Sequence, residues 1–255
     1  MEILILASGS KGNATYLKTK DTHILIDAGI SYSKMKAKLL ENKIDINIID
    51  TVLLTHEHTD HTIGLKQLLK MQTIKKVYLT QGTYKAIKKD IENDNIINII
   101  KADSPFLVND TKIHPIMTFH DAKEPIGFLI SDDQAKMAYL TDTGYVHKSY
   151  YDLLLDLDLY VLEANHHPYL LINSTRPFHL KRRILGDKGH LSNEDAIYLL
   201  NQVVKTKKTT FIAAHISEEC NSIMEIEKEL VKSLKRPDLV DVYFATCEGL
   251  KVIKV

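Results

Sequence analysis

Two cysteines in 255 residues, Cys220 and Cys247, are too few for a disulfide framework and lack the spacing of a cysteine-based metal site. No apolar run approaches the ~20 residues that a membrane span needs. The opening run Met1-Glu2-Ile3-Leu4-Ile5-Leu6 is too short for a secretory signal. A reducing cytoplasm without a membrane partner is the expected setting. Net charge is missing too. The 33 lysines and arginines balance 33 aspartates and glutamates, so no global field draws the chain to nucleic acid and any basic footprint must be local. Repeats, low-complexity tracts and linkers are also absent, which makes one compact domain over residues 1–255 the expectation.

What the chain does have is concentrated in Thr55-His56-Glu57-His58-Thr59-Asp60-His61, where three imidazoles and two carboxylates fall within seven residues. The stretch follows Val52-Leu53-Leu54, which reads as a buried strand, so the cluster stands at a strand's carboxyl end. Imidazole with carboxylate suits zinc, manganese or iron. His56 and His58, two apart on an extended chain, point the same way and can share an ion; Asp60 and His61 are left for a second. A polar strand-to-helix connection accounts for one or two such residues, not for their density.

Other segments end in the same way. Ile3 to Leu6, Ala14 to Leu17 and His23 to Ile26 read as strands, the third ending at Asp27, which could cap a helix over Ser31 to Asn42 or buttress a ligand histidine. The glycine-bearing loop Ser8 to Asn13 reads as a turn in preference to a phosphate cradle or a loop beside the site. Helical spacing over Ile63 to Met71 gives an apolar face of Ile63, Leu65, Leu68 and Leu69, and a second helix is expected over Gln81 to Ile91. Short strands fill Asn95 to Ile116. An extended run then reaches His120, a hairpin pairs Ile126 to Ser131 with Lys136 to Leu140 ahead of Asp142, and Leu159 to Leu162 ends at Glu163. Alternating strands and helices define an α/β chain.

These residues resemble the metallo-β-lactamase-fold hydrolases. Thr55 to His61 is similar to that family's HxHxDH motif, with Asp27, His120 and Asp142 in the family's order. Ser8-Gly9-Ser10-Lys11-Gly12-Asn13, Lys181-Arg182-Arg183-Ile184-Leu185, Gly189-His190-Leu191-Ser192-Asn193 and His215-Ile216-Ser217-Glu218-Glu219-Cys220-Asn221 resemble the YycJ/WalJ branch, with one departure: His167 stands where the branch has aspartate after Asn165-His166. The resemblance implies a four-layer αββα sandwich with two divalent ions (zinc, manganese or iron). It assigns one ion to His56, His58 and His120, the other to Asp60, His61 and His215, with Asp142 bridging. A metal-bridging hydroxide would be the nucleophile, with Asp60 orienting it.

His190 precedes a helix expected from Ser192 or Asn193 to Val204. A helix amino terminus disfavours a protonated imidazole unless a carboxylate compensates. In the tRNA-processing relatives a histidine in a similar setting pairs with a glutamate to protonate the leaving oxygen, and Glu163 is the partner expected here. Lys181, Arg182 and Arg183 form the only clearly basic segment near the expected site, either a solvated face or a patch that tracks nucleic-acid phosphates, with Phe119, Tyr169 and Phe178 as candidate stacking surfaces. Ser222 to Lys235, with Ile223, Ile226, Leu230 and Leu234 on one face, and the closing strands Val240 to Ala245 and Lys251 to Val255 are packing elements.

The expected function is a phosphodiester hydrolase, foremost a DNA exonuclease, with RNA and a homodimer also compatible. Two alternatives stand beside it. One is a small-molecule metallohydrolase acting on a cyclic phosphodiester, thioester or lactone; the other is a metal-bearing regulatory or partner-binding protein linked to a cell-wall two-component system, as relatives of this branch are.

Overall fold

The computed structural model describes all 255 residues. Its strands form two mixed seven-stranded sheets accompanied by eight α-helices. The chain divides into two compact units, one of Met1–Met117, Ala122–Gln134 and Thr246–Val255, the other of Thr118–Asp121 and Ala135–Ala245.

The first unit contains β1 (Glu2–Ala7), β2 (Ala14–Lys18), β3 (His23–Ile26), α1 (Tyr32–Glu41), β4 (Thr51–Leu53), α2 (Thr59–Thr62), α3 (Leu65–Leu68), β5 (Lys76–Thr80), α4 (Gln81–Ile87), β6 (Ile97–Ile100), β7 (Phe106–Val108), β8 (Thr111–Met117) and β9 (Ile126–Ser131). One sheet runs C-terminal strand Ile253–Lys254, β1, β2, β3, β4, β5, β6. Antiparallel pairing on the β1–β2–β3 side changes to parallel from β3 onward, with Ile26 opposite Leu53. Parallel strands of this kind are buried on both faces, which is why Val52, Leu53, Val77 and Leu79 read as unbroken apolar runs. The side chains of Val52, Val77 and Leu79 join Leu4, Leu6, Leu25, Met35 and Leu39 in one core cluster. A meander of β7, β8 and β9 completes the unit's strands.

The second unit contains β10 (Lys136–Leu140), β11 (Leu159–Glu163), α5 (Pro168–Ile172), α6 (Phe178–Leu185), α7 (Asn193–Val203), β12 (Thr209–Ala214), α8 (Ile223–Ser233) and β13 (Val240–Phe244). All four strands are parallel, with Leu140 opposite Leu162 and Glu163 opposite Ala214. That register carries the residues after β10, β11 and β12 off the same edge. Leu171, Ile184 and Cys220 make a small separate core that ties α5 to α6.

Three sequence expectations change. The helix over Ile63 to Met71 is instead two single turns, α2 and α3, separated at Ile63 and Gly64, and Ile63 is exposed. The reason is steric: a Cβ on Gly64 would lie 2.1 Å from the Ile30 carbonyl oxygen, and the Gly64 amide donates to the Ala28 carbonyl, so backbone contact interrupts the helix. The Gln81 helix stops at Ile87 and tightens into a 3₁₀ turn over Lys88–Asp90. In α8 the buried face is Ile226, Glu229 and Leu230, while Ile223 is exposed. Glu229 is tolerated inside because Ser233 and Lys232 donate to its carboxylate.

Asp156, with φ of 49°, ties the β10–β11 connection to the turn after α7. Its carboxylate accepts from the Lys205 amide (2.7 Å) and from the amide and hydroxyl of Thr206 (3.0 and 2.7 Å). Partial burial works upward on its pKa, and these hydrogen bonds outweigh it, holding the group at about 2. A depressed folded-state pKa means stability present above the unfolded value near 4 and lost as pH falls through about 2. Asp156→Asn should cost about 1 kcal/mol near neutrality, since the group is largely exposed, lowering Tm by ~2–4 °C. Thermal melts should show the gap from wild type closing between about pH 4 and pH 2; a gap constant with pH would refute the ionic contribution.

Candidate metal centre and active site

In the first unit, Asp27 leaves β3 with φ of 60°, a left-handed backbone that turns its carboxylate back under the end of β4. It does not cap α1; Ser31 does, accepting from the Lys34 amide. Asp27 is fully buried and accepts the Thr55 amide (2.8 Å), the Thr55 hydroxyl (2.9 Å) and His61 Nδ1 (2.8 Å). With Nδ1–H donating to Asp27, the lone pair of His61 resides on Nε2, which faces the Asn13 amide at 3.1 Å. Buttressing, one of the two roles expected of Asp27, is the one its contacts support.

The loop around His61 is held by backbone contact. The Asn13 amide donates to the Asp60 carbonyl at 2.7 Å, and Gly29 donates to the Asn13 carbonyl at 2.7 Å. A Cβ on Gly29 would fall 1.7 Å from the Asp60 carbonyl oxygen, so only glycine fits. The loop Ser8 to Asn13 is therefore more than a turn: through Asn13 it steadies Asp60 and His61. Within the cluster, His56 and His58 present ligand atoms within 4.8 Å of each other, as do His56 and His61, and Asp60 and His61. His56 lies 4.1 Å from His61 between ring centroids, with its Nδ1 against the Thr55 hydroxyl. Glu57 faces away, accepting the Lys123 amide.

In the second unit, Asp142 (φ of 56°) and His215 (φ of 50°) leave β10 and β12 in the same left-handed conformation, and Glu163 ends β11 between them. Asp142, Glu163, His190 and His215 offer ligand atoms within 4.8 Å of one another. Glu163 is fully buried; Oε1 accepts the Thr143 amide (3.1 Å) and the Leu191 amide (2.8 Å), while Oε2 accepts His190 Nδ1 (2.8 Å) and His215 Nδ1 (3.0 Å). Burial drives its pKa upward, but the charge of His190 and hydrogen bonds from His190 and His215 overcome it, holding the carboxyl below the usual carboxylate range. His120 Nδ1 faces the Gly189 carbonyl at 3.1 Å, and its Nε2 lies 3.8 Å from Asp142 Oδ1. Burial lowers the His120 pKa, favouring the neutral ring that a metal requires.

The expected pair of Glu163 and His190 is thus in contact, and Glu163 has a second task, orienting His215. Ser192 caps α7 in a capping box with Asp195, two residues after His190. Sequence reading missed Thr55, whose hydroxyl touches Asp27 and His56, and Asn165, whose amide donates to the His215 carbonyl at 2.9 Å. Both are neutral side chains beside stronger signals. His167 turns to Glu225 of α8 at 3.7 Å. The basic segment lies on α6, where Lys181 donates to the Ile172 and Ser174 carbonyls and Arg183 forms a two-pronged pair with Asp121; Arg182 is exposed.

The donor set fits divalent transition ions. His61, His120 and His215 each have Nδ1 against a carboxylate or carbonyl, which leaves Nε2 to ligate, the usual state of a metal-binding histidine.

Residues 22–216 match the Beta-lactamase superfamily domain, and the chain belongs to that family. With its His/Asp clusters, it is a metal-dependent hydrolase. It is 31% identical over 238 residues to exodeoxyribonuclease YycJ of Bacillus anthracis, spanning 90% of this chain and 87% of that one. It is 33% identical over 243 residues to exodeoxyribonuclease WalJ of Streptococcus pneumoniae, spanning 92% and 88%. In fold it is similar to the metallo-β-lactamase fold protein YhfI of Bacillus subtilis, with a TM-score of 0.75 and 15% identity over 99% of both chains. No helix is long and apolar enough to cross a membrane.

Two substitutions test the scaffolding. Asp27→Asn should weaken zinc or manganese affinity about 10- to 100-fold by calorimetry, with the circular dichroism spectrum retained. Gly29→Ala removes no donor, yet should also lower metal content by displacing Asp60; full metal loading would show that this close approach is dispensable.

Proposed function

We propose that the chain is a dinuclear phosphodiester hydrolase that degrades DNA as an exonuclease, with the two units acting as one domain. The observation that carries the substrate assignment is the likeness, over about nine-tenths of the chain, to two proteins named exodeoxyribonucleases. In this reading His56, His58 and His120 would hold one ion and Asp60, His61 and His215 the other, with Asp142 as a ligand available to both. Two such ions would supply hydroxide at neutral pH and positive charge against the phosphate oxygens.

The chain's own residues do the rest. Asp27 and Glu163 keep the ligand imidazoles of His61 and His215 in one tautomer and orientation. As the P–O bond to the leaving group breaks, that oxygen needs a proton; His190 gives it from Nε2 while Glu163 steadies the imidazolium through Nδ1, 2.8 Å away. The carboxylate also offsets the unfavourable field of the α7 amino terminus at His190. Arg182, exposed on α6, is the free cation of the basic segment for a strand's phosphates, while Lys181 and Arg183 contribute charge from fixed positions.

Metal-reconstituted enzyme on end-labelled single- and double-stranded DNA and RNA, with bis-p-nitrophenyl phosphate as the generic diester, tests this. DNA should be shortened from an end, chelation should abolish turnover, and binding should weaken steeply with salt. Turnover of the small diester alone would overturn the exonuclease assignment. His190→Ala should retain metal and lose about 10²- to 10⁴-fold in kcat; undiminished turnover would remove the proton-donor role.

A further inference from the structure

The second unit has a pocket of about 430 Å³, lined by Tyr145, His147, Lys148, Tyr151, Leu191 and Tyr198 among others. Its volume is that of a small-ligand site. Both of its walls start at one carboxylate. On one side, Glu163 Oε1 accepts the Thr143 amide, and the Thr143 hydroxyl donates to the Tyr145 carbonyl at 2.6 Å. On the other, the same oxygen accepts the Leu191 amide at 2.8 Å, one residue after His190. Leu191, which lines the pocket, directly follows the imidazole assigned to protonate the leaving oxygen, and both bond to Glu163.

Its lining has the character of a base-stacking site. Tyr145 is set in place by stacking on Phe119, with ring centroids 4.1 Å apart and planes 21° from parallel. Tyr198 projects from α7, is 53% exposed and shares the lining with Tyr151. At the rim, His147 turns Nδ1 to the Ser149 hydroxyl, and the exposed Lys148 ammonium is not engaged in an ion pair. Asp195 also lines the pocket, but its carboxylate is turned onto the Ser192 amide and hydroxyl. Flat aromatic walls with a cation at the mouth match a nucleobase and the phosphate attached to it.

We propose that this pocket holds the base of the nucleotide next to the scissile phosphate, with Tyr198 as a stacking surface and Lys148 on the phosphate. The choice of a nucleotide rests on the exonuclease reading; the pocket's position and lining do not.

The probe is 2-aminopurine deoxynucleoside 5′-monophosphate, whose fluorescence is quenched by stacking, titrated into metal-loaded full-length enzyme. Tyr198→Ala should raise its Kd about 5- to 150-fold, the range for losing one stacked base, and Tyr198→Phe should restore it. Deoxyribose 5-phosphate, which has no base, should bind both forms alike by calorimetry. Because Tyr198 is half exposed, the Ala variant should keep its fold, read by circular dichroism. An unchanged Kd in Tyr198→Ala overturns the proposal, as does equal weakening of deoxyribose 5-phosphate. End-labelled DNA separates the two readings. Tyr198-dependent nucleotide binding without DNA digestion upholds the pocket and removes the exonuclease; digestion with Tyr198-independent nucleotide binding removes only the pocket.

Discussion

A single buried carboxylate organises the second unit. Ionised Glu163 in a fully buried position would be costly if left alone, and it is matched by four donors: two backbone amides and two imidazoles. The donors come from three segments, the turn after β10, the approach to α7 that supplies both His190 and the Leu191 amide, and the loop after β12. The same charge that makes the site costly to bury thus gathers it. Asp27 has the corresponding part in the first unit, joining the end of β3 to Thr55 and His61. In both places a carboxylate unable to reach water holds histidines by Nδ1.

Backbone conformation does the aiming. Asp27, Asp142 and His215 all have φ between 50° and 60°, a left-handed region that costs a non-glycine residue of order 1 kcal/mol. Asp27 and His215 follow directly on the buried strands β3 and β12, and Asp142 comes one residue after β10. Continuing as strand would carry the next side chain on past the edge, whereas a left-handed residue turns the chain at once and points its side chain along the edge. Aspartate and histidine tolerate this region better than β-branched residues do. The strain is sustained because strand register and hydrogen bonds on either side over-determine the position.

Much of this was legible in the chain. Apolar runs such as Val52 to Leu54 and Leu159 to Leu162 are buried parallel strands, and their polar ends are the donor positions, because a strand covered on both faces is apolar until it reaches the edge. The Thr55 to His61 motif and the pairing of Glu163 with His190 were readable as well. Ile63 to Met71 misled because apolar spacing cannot register the contact between Gly64 and the Ile30 carbonyl. Lys181-Arg182-Arg183 reads as one basic patch, yet two of its three cations have partners on other segments. Neutral helpers such as Asn13, Thr55 and Asn165 leave no mark in charge or periodicity.

The sequence by itself determined the donor types, their order and the strands that end in them, because side-chain chemistry and hydrophobic period are local properties. Only the tertiary structure decided which nitrogen of His61, His120 and His215 faces a supporting carboxylate or carbonyl, which carboxylate supports which imidazole, and which basic residue remains unpaired. Those outcomes depend on hydrogen bonds between residues far apart in the chain, from 27 positions for Glu163 with His190 to 69 for His120 with Gly189. Distances of that kind are set by strand register and loop closure, which no short window of sequence contains.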